Sequence, residues 1–283
     1  MAPKRYPTLR TQWLGKELRK HRLASNATLL EAGEYLQRDQ ATISRIESGL
    51  SLARVADVMA LLDFYGVEDP GIRANLEQIS RDAWHRGWWD GYSRHAPLWM
   101  LDLAWMEERA DRIRSFDPIV FHGILQTEDY ARALMTGGEG NLDEEAICRF
   151  VQMRMERKNV IVDGSTHFEA VVDESVLRRQ VGGPEILRQQ LEHLIDLAES
   201  QVVQIRVLPA TVGAHASTDG SFTLLDLPQP YPRVGHIDTV AGNLWVEADQ
   251  AETVFHRYHR LEVNALSCND SLNMITTIAK GLK

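Results

Sequence analysis

The chain has 283 residues, 44% of them hydrophobic and 25% charged, with a formal net charge of −9 and two cysteines. That length accommodates two domains with cores of their own, the composition excludes a disordered or collagen-like chain, and no stretch approaches the ~20 apolar residues of a membrane helix. Cys148 and Cys268 lack CxxC spacing and the N-terminal MAPKRYP lacks the apolar core of a secretion signal, so two reduced thiols in a cytoplasmic protein are expected.

The chain opens with short helices. Leu14, Leu18 and Arg22 are spaced by four, so Arg22 continues an apolar stripe and points inward. Thr28 and Glu31 have the spacing of a capping box at the start of a second helix. Gly33 offers no Cβ where two helices would approach closely. Asp39 stands at the N-cap of a third helix, QATISRIE, and Gly49 at its C′ position. In that helix Ile43 and Ile46 face inward, while Gln40, Ala41, Ser44 and Arg45 form the opposite stripe. Such a face is small and hydrogen-bonding, and it suits the DNA major groove, where Gln and Arg read base edges bidentately. Glu47 is four residues from Ile43, so it too points inward. Two inward opposite charges on neighbouring helices most simply pair, which predicts an Arg22–Glu47 ion pair.

These residues carry a resemblance. Residues of about 9 to 65, with LRKHR, TISRIESG and SLARVADVMALLDFYGV, resemble the phage-repressor (Xre-type) helix-turn-helix family. The resemblance implies that Gln40, Ala41, Ser44 and Arg45 face bases and that Thr28 and Thr42 contact phosphate or backbone. It also implies a homodimer on a double-stranded operator, reading two half-sites ~34 Å apart. Leu29 and Gln37 depart from the family, which often has a phosphate-contacting Gln at the first position and Gly at the second. The alternative is a helical hairpin that merely packs. Charge supports the DNA reading: residues 1–60 hold ten Lys/Arg against six Asp/Glu, a net +4 that leaves −13 for the remainder. A positive head is steered to phosphate while an acidic body stays off it.

Gly66, Asp69, Pro70 and Gly71 punctuate a join, followed by a helix over 72–83. Five of the seven tryptophans then fall in 22 residues, among them Trp88, Trp89, Trp99 and Trp105. They form either a hydrophobic seam between head and body or an aromatic surface for a ligand or partner. Helices are expected at 98–115, 125–136 and 142–157. A strand is expected over Phe168–Val172, then a short helix in ESVLRRQ and an amphipathic helix opened by Pro184. VVQIRVL, SFTLLDL, RVGHIDT and LWVEA are four further strands, and helices over 249–267 and 269–281 close the chain. The fold class is thus a mainly α helix-turn-helix domain (1–66), a helical Trp-rich connector (67–97) and an α+β domain (98–283) with a small, mostly antiparallel sheet.

In this second half MEERADRIRSFDPIVFHGILQTEDYARAL, DESVLRRQVGGPEILRQQLEHL and VQIRVLPATVGAHASTDGSFTLLDL resemble the C-terminal domain of actinobacterial WhiJ-type antitoxin-like regulators. His122 stands where that family usually has Pro. The resemblance implies a transcriptional regulator modulated by a small protein partner encoded nearby; the alternative is an antitoxin-like module that sequesters such a partner and uses DNA binding for autoregulation. Signals for catalysis, metal or a cofactor are weak, and neither an enzyme nor a cofactor is expected. Glu252, His256 and His259 share a helical face without the HExxH arrangement, and His215, His236 and Asp238 lack an identifiable nucleophile. GGEG at 137–140 lacks the Gly-Lys-Ser/Thr of a phosphate loop, and Arg178–Arg179 with Gly182–Gly183 could bind an anion but are explained as well by an ordinary helix ending.

Overall fold

The computed structural model describes residues 7–138, 142–162, 164 and 166–282. The last two residues of the GGEG run lie outside them. The chain divides into two compact units, residues up to 93 with 97–102, and 94–96 with 103 onward.

The first unit is helical: α1 Leu9–Ala24, α2 Leu29–Leu36, α3 Gln40–Glu47, α4 Val55–Phe64 and α5 Pro70–Trp84. Its core is Leu14, Leu18, Ala32, Ile43, Val58, Leu61 and Leu62, all almost fully enclosed. All but α4 start where the sequence supplies an acceptor or a fixed φ. Thr8, Thr28, Asp39 and Asp69 cap α1, α2, α3 and α5, and Pro70 takes the first position of α5. α5 is an integral part of this unit. Ser80 Oγ and Trp84 Nε1 both donate to the carbonyl of Ala53, at 3.1 and 2.8 Å, and Arg10 Nη1 donates to the carbonyl of Asp82 at 2.9 Å.

Gly15 decides how closely α1 and α3 approach. A Cβ at that position would lie 2.5 Å from the Glu47 carbonyl oxygen and 2.6 Å from that of Ile46. Backbone oxygens at the end of a short helix cannot swing aside as a flexible side chain can.

The second unit contains α6 from residue 103 (the helix spans Leu98–Arg109), β1 Arg112–Asp117, α7 Glu128–Gly138, α8 Glu144–Arg157, α9 Asn159–Val162 and β2 His167–Asp173. It continues with α10 Pro184–Glu199, β3 Val203–Leu208, β4 Phe222–Asp226, β5 Val234–Thr239, β6 Gly242–Glu247, α11 Ala248–Asn264 and α12 Cys268–Gly281. The unit is α+β, with a six-stranded mixed sheet in the order β3-β2-β1-β4-β5-β6. β1 pairs in parallel with β2, and β2 with β3; the other three pairings are antiparallel. The parallel pairs need long crossovers, supplied by α7–α9 and by α10.

The expected helix over 98–115 is corrected here: it stops at Arg109, and Arg112–Asp117 is a central strand. Its charges hid it. Arg114 is buried in the sheet because Glu169 takes its Nε at 3.0 Å and Asp226 its Nη1 at 2.5 Å. Phe116, Val171, Leu224 and Val246 form the sheet face covered by Val254, Tyr258 and Leu261 of α11. Between α6 and α8, Arg157 gives Nε and Nη2 to the two oxygens of Glu107 at 2.7 and 2.6 Å, both side chains being buried. ESVLRRQ, expected as a short helix, is a 3-10 turn over Glu174–Arg178.

Gly15→Ala is expected to lower stability by about 1–3 kcal/mol through overpacking, although Ala would otherwise gain ~1 kcal/mol in a helix interior. Urea unfolding checks this; a variant as stable as the parent would show that α1 and α3 can separate freely.

Candidate nucleic-acid interface

The site is α3 and what holds it. α2 begins with a reciprocal cap: Thr28 Oγ1 accepts the Glu31 amide at 3.2 Å, and a Glu31 carboxylate oxygen accepts the Thr28 amide at 2.8 Å. The Thr28 hydroxyl also donates to that carboxylate at 2.8 Å, so a phosphate contact by Thr28 would have to compete with its cap. This bonding holds the Glu31 carboxyl below the usual range. α2 ends at Gln37, which adopts the left-handed conformation, φ 55° and ψ 41°. The turn therefore has the left-handed geometry that Gly favours, taken here by a glutamine. Gly33 lets the turn close, since a Cβ there would meet the Arg38 carbonyl oxygen at 2.8 Å.

α3 opens on Asp39, whose Oδ1 accepts the Thr42 amide at 2.5 Å. Hydrogen bonding to Thr42 lowers the Asp39 pKa. Ile43 and Ile46 are buried, and Gln40, Ala41, Ser44 and Arg45 are exposed together on the opposite side. Thr42 is half-buried and accepts a hydrogen bond from Arg45 Nη2 at 3.0 Å, which limits the rotamers of the arginine before any ligand arrives. Gly49, at φ 72°, ends the helix in the left-handed region.

Arg22 and Glu47 are brought together beneath this face. Arg22 Nε donates to Glu47 Oε1 at 2.6 Å, Nη2 to Oε2 at 2.9 Å, and Nη1 to the Ala27 carbonyl at 2.8 Å. The fork is bidentate and nearly enclosed, and the bond to Glu47 raises the Arg22 pKa. One guanidinium thereby fixes the end of α1, the loop before α2 and the last turn of α3.

The other sequence candidates are dispersed. Trp89 and Trp105 are enclosed and offer no surface for a partner or ligand; Trp105 meets Tyr231 edge-on at 5.1 Å. Trp88 and Trp99 remain partly exposed. Glu252 accepts from Arg233 Nη1 at 2.8 Å and His259 lies 3.4 Å from Glu262, so the helix-face trio does not converge. Among the described residues no group of three His, Cys, Asp or Glu is placed to hold a metal. His215 packs on Phe116, 5.3 Å between ring centres. Phe116 and Ser115 are neighbours in one strand and therefore point to opposite faces. His236 shares the Ser115 face through the register Ser115↔Thr223↔His236, so the two histidines lie on opposite sides of the sheet.

The Ser115 face holds a buried polar cluster centred on Asp117, a residue the sequence did not single out. Asp117 accepts from Ser115 Oγ at 2.6 Å, and burial, with Asp238 nearby, pushes its carboxyl up to about 7. Burial lowers His236 to about 4, and it drives His122 well below the ordinary imidazole value.

Residues 100–277 match the model of a family described as a domain of unknown function, DUF5753. The chain belongs to the DUF5753 family. Residues 13–76, ahead of the DUF5753 region, match a helix-turn-helix domain, which supports a DNA-binding regulator. No curated protein and no solved structure matches the chain. No helix among the described residues is long and apolar enough to cross a membrane.

Two predictions follow from this geometry. Arg22→Ala should cost ~3–5 kcal/mol in chemical unfolding, because it leaves Glu47 buried and unpaired; unchanged stability would show that Glu47 finds water instead. In the DUF5753 region, Asp117 binds its proton more tightly folded than unfolded. Its contribution is present at low pH and is lost as pH climbs towards about 7. His236 runs oppositely, its contribution being lost as pH falls through about 4. Asp117→Asn should therefore make unfolding free energy rise more steeply between roughly pH 4 and 7 than in the parent. An unaltered pH profile would place the Asp117 pKa near its ordinary value.

Proposed function

We propose that the chain is a sequence-specific, non-enzymatic transcriptional regulator of the cytoplasm. It reads a double-stranded operator with α3 as a homodimer, and its DUF5753 region takes a small protein partner or ligand that modulates operator binding. The observation that carries the reading is the outward face of α3. Four adjacent exposed side chains, Gln40, Ala41, Ser44 and Arg45, stand on a helix whose opposite side is locked. Ala41 and Ser44 are small enough for close approach to the groove floor, and Gln40 and Arg45 supply the forks that match adenine and guanine edges. The resemblance to Xre-type repressors agrees with these positions, and that of the C-terminal half to WhiJ-type regulators motivates the partner. Modulation requires only that the partner bind one arrangement of the protein better than another, since linkage is reciprocal.

Selection of duplexes from a randomised pool, followed by fluorescence anisotropy on the winning sequence, tests the reading. Selected sites should contain two half-sites with centres about 10 base pairs apart. Arg45→Ala should lose ~1–3 kcal/mol on that sequence and relax preference at one base position. An Arg45→Ala protein with undiminished preference would remove α3 from base reading.

A further inference from the structure

The first unit carries a second cationic feature, lined by none of the residues of α3. Arg54, Val55, Arg81, Trp84 and His85 line an open cleft of about 560 Å³. Arg81, Trp84 and His85 lie in the stretch 77–99 that neither family model covers. The cleft is built where the segment leaving α3 reaches α4. Ala53, the residue before Arg54, holds the last turns of α5 through its carbonyl, which accepts from Ser80 and Trp84. The walls are therefore fixed to each other.

Two observations indicate what the cleft takes. Trp84 is half exposed, yet its N–H is spent inward on Ala53, so the apolar ring is the part turned to solvent. A surface tryptophan ordinarily keeps its N–H wet and its ring covered. Around that ring stand two guanidiniums and an imidazole. Arg54 meets no side-chain partner among the described residues, and Arg81, itself exposed, pairs there only with half-buried Glu77, an i,i+4 contact of little strength. Arg54 also leaves the first amides of α4 without a side-chain cap, and the nearest carboxylate on that helix, Asp57, is in its first turn. Apolar ring and cations side by side complement alternating sugar and phosphate. An open cleft suits a polymer, because a small free anion would keep its own hydration there.

We propose that this cleft grips the DNA backbone flanking the bases read by α3. It supplies phosphate contacts through Arg54 and Arg81, with Trp84 against deoxyribose. The inference rests on the reading that the chain binds duplex DNA. It makes α5 part of the DNA-binding surface and extends the protected backbone beyond a helix-turn-helix footprint.

The test is anisotropy of the full chain on a random-sequence duplex of about 40 base pairs, roughly four helical turns, across salt concentrations. Arg54→Ala/Arg81→Ala should weaken binding roughly 10- to 100-fold near 0.1 M salt and reduce the log–log salt slope by about 1.8, two phosphate contacts' worth. Arg54→Lys/Arg81→Lys should keep the slope, which separates lost charge from lost fold. A parental slope in the alanine double variant would overturn the cleft while leaving α3's role intact. A parent chain without salt-dependent binding to any duplex would overturn the DNA reading and the cleft with it.

Discussion

The Arg22–Glu47 ion pair is the contact on which the exposed face of α3 depends. α3 has eight residues, and an isolated helix of that length is not stable in water. Its direction is set by what lies beneath it: Ile43 and Ile46 in the core, the backbone of α1 at Gly15, and the guanidinium of Arg22 on Glu47. The pair differs from a surface salt bridge in being bidentate and nearly enclosed. It contributes little net stability relative to an apolar pair, yet breaking one half is costly. What it confers is register. A fork on a carboxylate tolerates neither a rotation of α3 about its axis nor a slide along it, and either motion would move the four exposed side chains Gln40, Ala41, Ser44 and Arg45 together.

The second unit solves a different problem with similar chemistry. β1 is flanked on both sides, so whatever it carries is buried, and it carries charge. Arg114 is accepted by one carboxylate from each neighbouring strand, Glu169 on β2 and Asp226 on β4. Those contacts tie the parallel half of the sheet to the antiparallel half at the strand where the two meet. On the opposite face, Asp117, His236 and the Glu107–Arg157 pair form a polar interior where a purely hydrophobic one would be easier to build. Such an interior is costly when incompletely satisfied and specific when satisfied.

How much of this the sequence disclosed depended on whether the deciding signal was local. The caps Thr28 and Asp39, the inward Ile43 and Ile46 and the exposed quartet on α3 are all set within a few residues, and they are legible as spacing. The inward direction of Arg22 and Glu47 follows from the same spacing, and their meeting follows from the cost of leaving either alone. VVQIRVL, SFTLLDL, RVGHIDT and LWVEA show themselves through β-rich runs between turn residues, and each contains a strand. β1 was hidden because RIRSFD has the charge density of a solvated helix, and only its partners, 55 and 112 residues away, make it a strand. Gly15 was silent for the same reason: its role is to admit the end of a helix 30 residues later. MEER reads as an exposed charged run, yet its first glutamate is the enclosed partner of Arg157.

The division of charge sets how such a protein can work. A net +4 over the first 60 residues is modest, and the remainder at −13 repels phosphate. Long-range attraction alone would give weak, salt-sensitive binding. Residence on a site must then come from short-range fit at a rigid surface, because a rigid surface loses little conformational freedom on binding. Helix ends tied by Arg22, by Arg10 on the Asp82 carbonyl and by the two donors on the Ala53 carbonyl provide that rigidity throughout the first unit.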